Sequence, residues 1–133
     1  MQFKQLAMAA AVAATTFSAQ AVTEIQWWHS MTAVNNEWVN DLAKQFNESQ
    51  KDYKVVPTFK GVYDESMTAA IAAFRSGNAP HILQVFEVGT ATMMASKGAT
   101  VPVGKVMHDA GVAFDPKAYI PAVAGYYTAP NGQ

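Results

Sequence analysis

Two residues in this chain stand where a small polar ligand could be held without catalytic apparatus. Glu87 follows a short apolar run, residues 82–86 (ILQVF), and precedes Val88-Gly89-Thr90. A carboxylate there offers acceptors to ligand hydroxyls, and Gly89 allows a ligand close to the backbone. Capping of the following short helix is the alternative role for the same side chain. Tyr63 ends the loop Lys60-Gly61-Val62. Its ring can cover an alkyl or sugar face while its hydroxyl donates one bond, or it can pack on the helix it precedes. Trp27 and Trp28 pose a similar question. Strand alternation sends one ring inward and the other outward, with Trp28 nearer the ligand-bearing end.

Other chemistry finds little support. No G-x-G-x-x-G or G-x-x-x-x-G-K-[ST] run is present to cradle a phosphate, and no G-x-S-x-G elbow exposes a serine nucleophile. His29 and Ser30 are neighbours in sequence, but a Ser–His pair is defined by spatial geometry and a third orienting group. His29, His81 and His108 lack ligand spacing such as H-x-x-x-H, so structural or surface histidines are expected and no metal. Asp64 and Glu65 point about 100° apart on a helix, which suits a helix N-terminus better than an acid–base pair. No catalytic residue and no cofactor site are assigned. A secreted hydrolase using Glu87 would need a second positioned acid, base or nucleophile.

These residues depend on the elements that carry them. Residues 22–28 (VTEIQWW) and 53–59 (YKVVPTF) read as strands, with Pro57 at an edge or strand end. Between them Val34, Trp38, Leu42 and Phe46 recur at helical spacing, widened by Val39 and Ala43, with Thr32 or Asn35 as the cap. Asp64, Glu65 or Ser66 opens a second helix, whose apolar face is Met67, Ala70, Ile71 and Phe74. Ser76-Gly77-Asn78-Ala79-Pro80 stops it. Residues 82–86 resemble an internal parallel strand covered on both faces. Short helices are expected over 91–97 and 105–111, and an extended piece over 119–128. The β-α-β-α-β-α order implies an α/β fold with a parallel sheet and right-handed crossovers. Carboxyl-end loops are the usual ligand site in such sheets, and they hold Tyr63 and Glu87.

The chain has 133 residues and a net charge of −1, enough for one modest domain and without the basic face that nucleic acid requires. It has no cysteine, so a sizeable core must replace the disulfides of small secreted domains. Residues 1–21 have a Lys-bearing start, an apolar centre and an Ala-x-Ala end. This predicts a cleavable signal peptide, with residues 22–133 as the exported, periplasmic product and no membrane insertion of the mature chain. The apolar centre is shorter than the ~20 residues a membrane span needs.

The stretches WWHSM (residues 27–31), VPTFKG (residues 56–61) and IAAFRSGNAPHILQVFEVGTATMM (residues 71–94) resemble the family-1 solute-binding proteins of ATP-binding-cassette (ABC) importers. WHSM is common to many members. The uninterrupted QVFEVGTATMM is more specific and resembles the glycerol-3-phosphate-binding members, with similarity over residues 22–127. The resemblance implies a type II periplasmic binding protein fold, two-lobed and closing like a hinged clamp. It also implies capture of glycerol-3-phosphate, and of glycerophosphodiesters, for delivery to a membrane permease and its ATPase. In that family the Tyr of K-G-x-Y and the Glu of Q-V-[YF]-E-V-G contact the ligand, which points to Tyr63 and Glu87. An oligosaccharide ligand is the alternative within the same superfamily. Members are far longer than 133 residues, so residues 22–133 are expected to be an incomplete N-terminal lobe. The phosphate-binding Arg would then lie outside this chain, since Arg75 falls in a first-lobe helix.

Overall fold

The computed structural model describes residues 21–129 and 131–132. The expected signal segment lies, over residues 1–20, outside the described residues. Strand β1 (Thr23–His29) is followed by helix α1 (Ala33–Ser49), strand β2 (Tyr53–Phe59), helix α2 (Tyr63–Arg75) and strand β3 (Ile82–Leu83). A 3-10 turn (Glu87–Gly89) leads into the short helices α3 (Thr90–Ala95) and α4 (Val103–Asp109). A second 3-10 turn (Pro116–Ala118) precedes α5 (Pro121–Tyr126). The sheet is parallel, in the order β2-β1-β3. Helical crossovers join each successive pair, as the alternating pattern predicted. Because all three strands run the same way, their carboxyl ends and the loops that follow share one edge.

β1 pairs with β2 along its whole length, from Thr23 opposite Tyr53 to His29 opposite Phe59. Val55 donates its backbone N–H outward to the Asn47 side chain at 2.7 Å, and Asn47 returns a bond to the Val55 carbonyl at 2.9 Å. Pro57 is two residues on, so its missing N–H falls on the same outer side, where no ladder bond is lost. Gln50 repeats the device: its amide accepts from Asp52 and Tyr53 N–H and donates to the Tyr53 carbonyl. Side-chain amides of α1 and its C-cap therefore occupy part of an edge that would otherwise present free donors and acceptors.

Three sequence expectations need correction. The first concerns α1. Val39 and Ala43 are its buried residues, whereas Val34, Trp38, Leu42 and Phe46 are exposed, Trp38 by 59%. The helix is rotated so that Val39 and Ala43 are buried and Asn47, with Gln50 at the C-cap, reaches β2. Hydrophobicity alone selects the adjacent stripe of larger side chains. Thr32 sits at the cap position without a side-chain bond, and Ala33 takes φ +47° in the left-handed region.

The second correction is to β3, which is a two-residue edge strand among the described residues and not an internal strand covered on both sides. Ile82 is 45% exposed. Pairing continues only as single bonds, from His81 N–H to the Gln26 carbonyl and from Gln84 N–H to the Trp28 carbonyl. The third is that residues 119–128 are not extended. Pro121 opens α5, where its fixed φ and absent N–H suit the first helical turn. The helical readings for 91–97 and 105–111 hold within a few residues.

Candidate functional site

Both loops that carry the proposed ligand residues are tightly constrained by local chemistry. Gly61 takes φ +84°, and a Cβ there would collide with the Glu65 carboxylate. That carboxylate accepts the Val62 N–H at 3.1 Å, fastening the entry to α2. Glu65 thus acts at the helix start, with Asp64 beside it in the first turn. Tyr63 is the first residue of α2, and its ring is 37% exposed. It stacks on Phe86 with centroids 5.2 Å apart and planes inclined by 15°. Phe86 immediately precedes Glu87, so this ring pair brings the two loops together at the sheet's carboxyl edge.

Glu87 heads the 3-10 turn, and its side chain is exposed. Among the described residues its carboxylate has no hydrogen-bond or ion-pair partner. Its main-chain carbonyl accepts from Thr90 N–H and, at 2.6 Å, from the Tyr126 hydroxyl. Glu87 lines an open, shallow cavity of about 360 Å³ with Ala122, Val123, Tyr126 and Tyr127. The Tyr126 proton is already committed to a carbonyl and a carboxylate has none to give. These two groups therefore offer ligand acceptors only, a match for hydroxyl donors and a poor one for a phosphate.

Gly89 does not serve ligand approach. It is buried, and a Cβ there would lie 2.9 Å from Met67 Sδ, 2.9 Å from Phe86 Cε1 and 3.1 Å from Val85 Cγ1. Its missing side chain lets the 3-10 turn pack against α2. An extended reading of residues 119–128 does not bring Tyr126 and its neighbours to Glu87. Pro121 followed by Ala122, Val123 and Ala124 was the available signal for a helix start.

The β1 end of the edge is aromatic. Lys60 Nζ lies 4.1 Å from the centre of the Trp28 ring, a cation–π contact that ties the Tyr63 loop to β1. Trp27 faces the other way, with its ring 6.1 Å from that of His29; both indoles are half-buried. His29 is only 1% exposed, its Nδ1 has no partner among the described residues, and Phe59 flanks it at 6.1 Å. Burial therefore lowers its pKa below the ordinary value of 6.5. The unfolded chain then binds the proton more readily, so stability is full above about pH 6.5 and falls as pH drops from there toward the folded-state pKa. Thermal unfolding followed from pH 8 to pH 5 should show that decline, and His29→Phe should flatten it. A decline unchanged in the variant would assign it to other groups.

The remaining histidines have ordinary roles. His81 Nδ1 accepts the Gln26 N–H at 3.0 Å, and His108 is exposed beside Asp109. No group of three or more metal-ligating side chains occurs among the described residues. Arg75 is exposed in the last turn of α2.

Residues 31–132 match the family described as bacterial extracellular solute-binding protein. The chain belongs to that family. Several relatives carry the same description, sn-glycerol-3-phosphate-binding periplasmic protein. That of Rhizobium meliloti is 53% identical over 116 residues, covering 87% of this chain and 27% of the relative. The Brucella suis protein is 51% identical over 127 residues, covering 95% and 29%. The Yersinia pestis protein is 59% identical over 115 residues, covering 85% and 26%. The chain thus spans little more than a quarter of the length of these relatives. Among the described residues no helix is long and apolar enough to cross a membrane.

Proposed function

We propose that this chain supplies part of the N-terminal lobe of a two-lobed, type II periplasmic solute-binding subunit. In this reading residues 1–21 direct export and are removed. The subunit captures sn-glycerol-3-phosphate, and glycerophosphodiesters, for an ABC permease and its ATPase. What carries the ligand assignment is the identity of 51–59% to glycerol-3-phosphate-binding proteins over most of this chain.

Glu87 accepts from the glycerol hydroxyls and Tyr63 covers the carbon chain, both reaching the solute from one edge of the sheet. The phosphate is directed away from the Glu87 carboxylate, toward cationic groups of the second lobe. Closure is then a population shift, driven by contacts that the closed state makes with both lobes and the open state does not.

Calorimetric titration of the complete exported polypeptide, carrying residues 22–133, tests this reading. The ligands are sn-glycerol-3-phosphate, glycerophosphocholine and maltotriose. Saturable binding of the first, with weaker or comparable binding of the second and none of the third, is expected. Binding of maltotriose alone would overturn the ligand and favour an oligosaccharide-binding member of the superfamily.

A further inference from the structure

The contact between Tyr126 and Glu87 spans 39 residues of sequence, and it engages the main-chain carbonyl of Glu87 and not its carboxylate. The 3-10 turn over Glu87–Gly89 is three residues long. Turns of that length have poor hydrogen-bond geometry and little stability of their own. Within it the Glu87 carbonyl already accepts the Thr90 N–H. The Tyr126 hydroxyl supplies a second donor, so both lone pairs of the carbonyl are engaged. Two donors from different directions fix the peptide plane that follows Glu87, and with it the direction in which the side chain leaves the backbone. Tyr126 is held in turn by Tyr127, whose ring meets it edge-on at 5.0 Å with planes inclined by 80°. Phe86, on the other flank of Glu87, is held by the Tyr63 stack. The carboxylate has no hydrogen-bond or ion-pair partner among the described residues, so the region it can reach is set by where these main-chain restraints place the start of its side chain.

We propose that Tyr126 is a positioning residue for Glu87: its hydroxyl locks the Glu87 carbonyl, and α5 thereby aims the free carboxylate into the ligand cavity. This rests on the reading of Glu87 as a ligand contact. It assigns to α5 a role in affinity beyond lining the cavity.

Tyr126→Phe removes one hydroxyl and keeps the ring and its contact with Tyr127. In the complete polypeptide without ligand, amide hydrogen exchange is measured at Gly89 and Thr90. Exchange there is expected to rise several-fold with the melting temperature unchanged. Affinity for sn-glycerol-3-phosphate is expected to fall about fivefold, the effect of one net hydrogen bond. The double variant Tyr126→Phe, Glu87→Ala is expected to bind no more weakly than Glu87→Ala alone, because a positioning effect vanishes with the group positioned. Unchanged exchange would overturn the proposal. So would raised exchange with unchanged affinity, or full additivity with Glu87→Ala. Should the parent protein not bind sn-glycerol-3-phosphate, the ligand assignment fails by that result, and the exchange measurement still decides whether Tyr126 restrains the Glu87 turn.

Discussion

Replacing Glu87 by Ala in the complete polypeptide is expected to weaken sn-glycerol-3-phosphate binding at least tenfold while leaving the melting temperature nearly unchanged. The two halves of that expectation come from the same observation. The Glu87 carboxylate is exposed and has no partner among the described residues, so its loss removes nothing that holds the lobe together. Surface substitutions of that kind usually stay within about 0.5 kcal/mol of neutral. In the proposed closed, solute-bound state the carboxylate would be a buried, charged acceptor for hydroxyl donors. Hydrogen bonds to charged groups contribute about 1.5–3 kcal/mol, and every 1.4 kcal/mol is tenfold in affinity. Glu87→Gln keeps the shape and one acceptor oxygen but loses the charge, and should fall between parent and Ala variant. Calorimetric dissociation constants for the three proteins provide the check. Equal constants for parent and Glu87→Ala would remove Glu87 from the site.

Gly89→Ala is expected to destabilise the fold by about 1–3 kcal/mol, the usual cost of overpacking, and to weaken ligand binding as well. Gly89 does not need a left-handed backbone, so the cost is steric. The new methyl would stand 2.9 Å from both Met67 Sδ and Phe86 Cε1. Met67 can turn aside, since its thioether chain is flexible. Phe86 is stacked against Tyr63 and cannot move without displacing that ring. The strain therefore passes to the two loops of the candidate site. Gly125→Ala is the control, because no atom lies within 4 Å of a Cβ there. Gly125 is inside α5, where Ala is favoured by roughly 0.5–1 kcal/mol. Denaturant midpoints should move in opposite directions for the two variants. A Gly89→Ala midpoint equal to the parent's would show that the turn packs loosely.

How far the fold was legible depended on how local its cause was. The turn at Ser76-Gly77 ends α2 because Gly77 takes φ +75°, a conformation written in one residue. Pro57 reads as an edge position because it lacks a donor, and β2 is an edge strand. α1 was found but its orientation was not. Val34, Trp38, Leu42 and Phe46 make the more hydrophobic stripe, yet Asn47 and Gln50 decide the rotation by bonding β2. That choice rests on a strand edge the helix sequence does not contain. The brevity of β3 follows from the same kind of cause, since Gln84 turns its amide to the Ser30 N–H at 2.9 Å instead of extending a ladder.

Alternation of apolar patterns, punctuated by Gly and Pro, was enough to specify a parallel α/β sheet and to bring Tyr63 and Glu87 to one edge of it, Tyr63 at the start of α2 and Glu87 at the start of a 3-10 turn. Those features arise from backbone preferences and side-chain periodicity within a few residues. The ring of Tyr63 on Phe86, the packing of Gly89 against Met67, the burial of His29 beside Phe59 and the reach of Tyr126 to Glu87 came only with the tertiary structure. Each is a contact between segments distant in sequence, set by how the crossovers stack and by which atoms then lie within bonding distance, and no local pattern encodes that.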